Sequence, residues 1–93
     1  MNITLKTLKF TETPELRTFV LEKTSKLFHQ NPEIIRVDVT LKLGAVNNIT
    51  NKWCEIYVSI AGENKFTKRN SESFEESTLK AIDVMERLLK KNK

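Results

Sequence analysis

Cysteine occurs once, as Cys54, so no disulfide framework can form within the chain. Histidine also occurs once, as His29, so no Cys/His cluster can hold zinc. Glycine is confined to Gly44 and Gly62, which leaves no glycine-rich loop to cradle a phosphate. No apolar run approaches the ~20 residues that would span a membrane. The start, MNITLKTLKF, alternates and lacks the apolar block of a signal peptide. Without a secretion signal, the N-x-T triplets at Asn2 and Asn48 read as chance matches, and a cytoplasmic protein is expected. General acid–base chemistry needs an arranged set of groups, and none is visible. His29 falls near a helix end, where it complements the dipole. Cys54 falls on the apolar side of a strand and reads as a small core residue. No enzyme, cofactor, metal or small-molecule substrate is therefore expected.

What is present is a chain of one-domain length, 93 residues, with 39% hydrophobic and 30% charged residues, a globular balance. A domain this small has a thin core, which favours one sheet with helices packed on it. The net charge of +4 permits a nucleic acid or an acidic partner without requiring either.

Residues 2–9 alternate and predict a strand. Thr13 then fits a helix N-cap, Pro14 the first helical position and Glu15 the positive helix end. Leu16, Val20 and Leu27, flanked by Phe19, fall on one face of a helix that should end near Gln30, before Asn31-Pro32. In IIRVDVTLKL, Ile35, Val37, Val39, Leu41 and Leu43 are expected to face one way, and Arg36, Asp38, Thr40 and Lys42 the other. After a polar loop, KWCEIYVSI alternates Cys54, Ile56, Val58 and Ile60 against Trp53, Glu55, Tyr57 and Ser59. KFTKRN predicts a polar edge strand. SFEE reads as a capping box, with Ser73 as N-cap and Glu76 reaching back. Phe74, Thr78, Ala81, Ile82, Met85, Leu88 and Leu89 make one apolar stripe. The predicted order is β-α-β-β-β-α, with both helices on the apolar side of the sheet.

The cations are distributed with some order. Lys80, Arg87 and Lys91 fall within ~40° of one another on the last helix, opposite its apolar stripe, and Lys90 borders them. Two readings stand side by side. Glu75 and Glu76 in the first turn with Arg87, Lys90 and Lys91 in the last complement the helix dipole without any ligand. Asp83–Arg87 and Glu86–Lys90 also form favourable i, i+4 pairs on a solvated face. Alternatively, with Arg17, Lys23 and Lys26 of the first helix, the stripe forms a surface for a phosphate backbone. Lys23 lies at the edge of the apolar face, where its stem can cover the core while the ammonium reaches water. If the helices lie side by side, Lys23 and Lys26 could border the basic stripe of the second. Trp53 and Tyr57 on the open sheet face read as a cross-strand aromatic patch, with base stacking the less favoured reading.

Taken in order, ELRTFVLEKTSKL, IIRVDVTLKL and SESFEESTLKAIDVMERLLKK resemble the first helix, long second strand and closing helix of one family. It comprises the short ribosome hibernation-promoting factors and ribosome-associated inhibitors, also called sigma-54 modulation proteins. The resemblance covers essentially the whole chain. It implies an α+β fold, a four-stranded sheet with two side-by-side helices on one face, like a double-stranded-RNA-binding domain. It implies one ribosome-binding domain over residues 1–93, without the C-terminal domain by which long members pair ribosomes. Such a chain would need a second hibernation factor to promote ribosome dimers, or would not promote them. The implied partners are the small ribosomal subunit and 16S ribosomal RNA near the decoding centre. Occupying that site would block tRNA and mRNA and silence translation under stress or in stationary phase. Arg17, Lys23, Lys26, Arg87 and Lys91 match basic positions of the family helices, and Lys93 continues the basic end. Lys80 and Lys90 join them on geometry alone. Val84 and Glu75 depart from the lysine and tyrosine common at their positions. The competing expectation is a protein-interaction module that regulates transcription, using Trp53, Tyr57 and the open sheet face.

Overall fold

A computed structural model describes residues 2–90 of the chain. The elements are β1 (Ile3–Leu8), α1 (Pro14–Gln30), β2 (Ile34–Leu43), β3 (Lys52–Ile60), β4 (Glu63–Ser71) and α2 (Phe74–Lys90). The predicted order and the four-stranded sheet with two helices are borne out. The sheet follows chain order, with β1 parallel to β2 and the β2–β3 and β3–β4 pairs antiparallel. β4 is an edge strand, as its polar sequence predicts.

Local chemistry starts both helices and stops α1. The Thr13 hydroxyl accepts a hydrogen bond from the Leu16 N–H at 3.1 Å, satisfying one of the orphan donors of the first turn. At the other end the Asn31 N–H donates to the Leu27 carbonyl at 3.0 Å. The Asn31 side-chain oxygen accepts from the Glu33 N–H at 3.2 Å, turning the chain into β2. At the start of α2 the Ser73 hydroxyl accepts from the Glu76 N–H at 3.1 Å, as a cap should. The reciprocal half of the predicted capping box is not formed. The Glu76 carboxylate instead accepts from the Ser71 hydroxyl and lies 3.9 Å from Lys80. The Ser71 hydroxyl at the end of β4 takes the carboxylate that the cap backbone would otherwise hold.

β1 and β2 are parallel, so α1 must run antiparallel to both. β4 has the direction of β2, and α2 starts just after it and packs back over β3 and β4. The two helices are therefore parallel to each other. Two contacts agree: Phe10, before α1, stacks on Phe74 at the start of α2 at 4.3 Å, and Gln30–Glu33 line one cavity with Glu86, Leu89 and Lys90 at the other end. The chain enters this arrangement through Lys9, whose φ of 72° is unusual for a residue with a side chain.

The core lies between the sheet and the helices. Val37, Val39, Leu41, Cys54, Ile56 and Val58 meet Leu16, Val20, Leu27, Ala81, Ile82, Met85 and Leu89 there. Thr78 of the predicted stripe is fully buried, and Phe74 and Leu88 pack at the core margin. In the core, the expected facing of Ile35 is not borne out. Ile35 is 58% exposed, and Ile34 is buried in its place. The register slips between Ile34 and Arg36, so a bulge inserts one residue and reverses the alternation upstream of it.

Thr24 is fully buried on α1, and its hydroxyl has no hydrogen-bond partner. A buried hydroxyl without a partner is destabilising relative to a methyl of the same shape. Thr24→Val should therefore stabilise the fold by about 1 kcal/mol, seen as a rise in Tm of roughly 4–8 °C for a domain of this size. A Tm that stays the same or falls would show that the hydroxyl is satisfied in solution.

Candidate nucleic-acid interface

The sequence directs attention to the cations of the two helices. On α2, Lys80, Arg87 and Lys90 are exposed on the side opposite the buried stripe. Arg87 pairs with Asp83, as expected, and Lys80 with Glu76 at 3.9 Å. The expected Glu86–Lys90 pair is not formed among the described residues; both side chains line the cavity at the helix end instead. Lys91 lies outside the described residues, as does Lys93.

On α1, Arg17 and Lys26 are nine residues apart, which is about 180° of helical rotation. They consequently occupy opposite flanks. The flank of α1 bearing Leu21, Ser25 and Phe28 is half-buried, whereas Glu22 and Lys26 on the other flank are exposed. On α2, the flank bearing Ser77 and Ala81 is fully buried, whereas Glu75 and Leu79 opposite are exposed. The helices thus meet along these covered flanks, where serine and alanine let them approach closely. The near-universal right hand of parallel crossovers puts the same flank of α1 toward α2. Lys23 and Lys26 stand on the outer side of α1 and do not border the α2 stripe. Which flank meets the neighbouring helix depends on crossover hand, which helical periodicity does not contain.

Each α1 cation has its own environment. Lys23 is half-buried, with Nζ 5.5 Å from the centroid of the Phe19 ring, as expected of a stem laid across an apolar margin. Lys26 has no acidic partner among the described residues. Arg17 donates to Glu12 at 3.4 Å, and Glu12 also accepts from the Thr7 hydroxyl at 3.1 Å. A hydrogen bond from its own backbone, then the Thr7 hydroxyl, then the Arg17 charge hold the Glu12 carboxyl below the ordinary glutamate value. A depressed carboxylate contributes stability that is complete above its unfolded-state pKa and lost as pH falls through the folded value. Tm should hence fall in acid, below about pH 4.5, more steeply in the native chain than in Glu12→Gln. Parallel Tm-versus-pH curves for the two proteins would remove Glu12 from the acid response.

The parallel helices have an electrostatic consequence. Both negative macrodipole ends lie at the same end of the molecule, and His29, Arg87 and Lys90 occupy the last turns there. The dipoles therefore account for the placement of Arg87 and Lys90. They do not account for Lys26 or Lys80, which sit further back along their helices.

Cys54 is fully buried, and burial pushes its thiol up to about 12. It is a core residue, without the thiolate a nucleophile needs. His29 is exposed at the end of α1. Among the described residues no three His, Cys, Asp or Glu side chains are grouped to hold a metal ion, and no helix is long and apolar enough to cross a membrane.

The open sheet face carries a second group, only half legible in the sequence. The register places Tyr57 opposite Phe66, Trp53 opposite Asn70 and beside Lys42, and Glu55 opposite Lys68. The alternation of β4 is too polar to declare that Phe66 and Lys68 share this face. The signal was present: a two-residue turn, Ala61-Gly62, joins Ile60 to Glu63, and counting outward from it fixes every pair.

The architecture defines an α+β domain with two parallel, cation-bearing helices on one side of a four-stranded sheet. The sequence profile of the sigma 54 modulation protein / S30EA ribosomal protein family matches residues 2–93, and the chain belongs to that family. It is a ribosome-associated protein, as the resemblance in its sequence implies. A ribosomal subunit interface protein from Coxiella burnetii superposes with a TM-score of 0.85 at 18% identity, over 98% of this chain and 96% of that one. The N-terminal domain of Thermus thermophilus Protein Y superposes with a TM-score of 0.82 at 20% identity, over the full length of both. At these identities the likeness establishes the fold. No curated protein matches the chain significantly.

Proposed function

We propose that the chain is a ribosome hibernation factor. It binds the small ribosomal subunit near the decoding centre through its helix surface, excludes tRNA and mRNA, and silences translation under stress or in stationary phase. The observation that carries this reading is family membership over residues 2–93, joined to a helix side bearing Arg17, Lys23, Lys26, Lys80, Arg87 and Lys90. The partner on this reading is 16S ribosomal RNA, and the site of action is the cytoplasm.

The existing ion pairs do not oppose such binding. Glu76–Lys80 and Asp83–Arg87 are exposed i, i+4 pairs, each worth only about 0.3–0.5 kcal/mol. A phosphate can take either cation at little cost, because a charge-assisted contact replaces the one lost. Contacts of this kind read backbone and RNA shape and carry little sequence information.

The test is co-sedimentation with purified small subunits across a salt series at constant magnesium. Binding should weaken steeply, with a slope of log affinity on log salt of up to about −5 if all six cations neutralise phosphates. A protein that stays in the supernatant at moderate salt would sink the proposal. The family's other descriptor, sigma 54 modulation, names the competing reading. A protein partner recovered from lysate equally well after RNase treatment, with no ribosome binding, would favour that reading.

A further inference from the structure

The sheet face turned away from the helices has a chemistry of its own. Phe66 is 53% exposed and Tyr57 38% exposed, on neighbouring strands and directly paired. A patch that served only to stabilise the sheet would bring these rings into contact. They make no ring contact; among the described residues the one stacked pair is Phe10–Phe74. The Tyr57 hydroxyl accepts from the Asn64 side-chain amide at 2.7 Å, which holds the phenol in place with its ring open to solvent. Trp53 lies four residues before Tyr57 on the same strand, about 13 Å away.

Cations flank Trp53, whereas the cross-strand neighbour of Tyr57 on β2 is Asp38, itself paired with Arg36. Lys42 is the cross-strand neighbour of Trp53, and Lys6 lies in the same cross-sheet row as Glu55 and Lys68. Lys68 stands 4.8 Å from the Trp53 ring centroid and 3.9 Å from Glu55. Lys6 and Lys42 have no acidic partner among the described residues. With Arg36 bound to Asp38, the face carries four cations against two carboxylates.

We propose that this face is a stacking platform for unpaired RNA. Bases lie on Phe66, Tyr57 and Trp53, and their phosphates meet Lys6, Lys42 and Lys68. Aromatic rings on a sheet suit splayed, single-stranded bases, whereas a duplex hides its base faces in the helical stack. The distance between Trp53 and Tyr57 suits an extended strand and is too long for two bases stacked on each other. Lys68 moves from the Trp53 ring to a phosphate when a base arrives, and the contacts it leaves are weak, solvent-exposed ones. An apolar protein partner is disfavoured by the excess of cations, which such a partner would have to desolvate. This surface lies across the sheet from the proposed ribosome-binding helices, so either proposal can fail without the other.

Trp53 is the chain's single tryptophan and reports on the face directly. Titrating the full chain with a short oligouridylate should quench Trp53 fluorescence, and a blunt RNA duplex of equal length should not. Phe66→Leu keeps an apolar side chain but removes the π face, and it should weaken the oligouridylate about 5- to 100-fold. Phe66→Tyr should bind like the native chain. Leu79→Ala, at an exposed apolar position on the helix side, should leave the quenching intact. Absence of quenching, equal quenching by duplex, or a Phe66→Leu chain that binds normally would each overturn the proposal.

Discussion

Replacing Lys26, Arg87 and Lys90 together with glutamate should lower affinity for small ribosomal subunits by about 100-fold or more at moderate salt. Each change removes an attraction to phosphate and installs a repulsion in its place. The three are chosen for their surroundings. Lys26 and Lys90 have no acidic partner among the described residues, and all three side chains are exposed. Reversal therefore disturbs the surface without emptying the core. Arg87 and Lys90 also complement the end of α2, so their reversal should cost about 0.3–1 kcal/mol each in stability. A Tm measurement on the variant separates that cost from lost binding. The salt slope should also flatten by about one unit per contact removed. Unchanged co-sedimentation by a folded triple variant would remove the helix surface from the ribosome contact.

Dividing the triple change is informative because Lys26 and the α2 cations stand on different sides of the helix pair. A large loss from Lys26→Glu alone would place RNA along the outer flank of α1. A large loss from Arg87→Glu with Lys90→Glu would place it along the crest of α2. Comparable losses would mean that RNA spans both helices.

Leu27→Ala should destabilise the protein by about 2–5 kcal/mol. Leu27 is fully buried in the last turn of α1, where it packs into the core between helix and sheet. Removing its branched end leaves a cavity that neighbouring residues on a β-sheet cannot readily close. A domain of this length has a total stability near the low end of the usual ~5–15 kcal/mol, so the variant should be partly unfolded at physiological temperature. Urea titration measures the effect directly. A midpoint shift with an unchanged slope would confirm lost packing, whereas a stable variant would show that α1 contributes little to the core. Ribosome binding should fall with the folded fraction, because Arg17, Lys23 and Lys26 depend on α1 for their placement.

The contrast between Leu27 and Ile35 shows what the sequence could determine. Leu27, Val20, Met85 and Ile56 were placed in the core by periodicity alone, because side-chain direction repeats every 3.6 residues in a helix and every 2 in a strand. The caps at Thr13 and Ser73 were equally legible, since they are chemistry between residues three apart. Ile35 departs from its expected face because a bulge changes the count of residues without changing their apolar character. Glu76 departs from the capping box because its carboxylate accepts from Ser71, a residue of the preceding strand.

Element order, the helix ends and most of the core were determined by the sequence itself, since each rests on residues a few positions apart. The tertiary structure alone decided that the helices run parallel and that their small-residue flanks meet. It also decided that Lys23 and Lys26 face away from the α2 cations, and that Phe66 and Lys68 join Tyr57 and Trp53 on one open face. These arrangements follow from strand register and crossover hand, which bring distant segments together by packing the whole sheet.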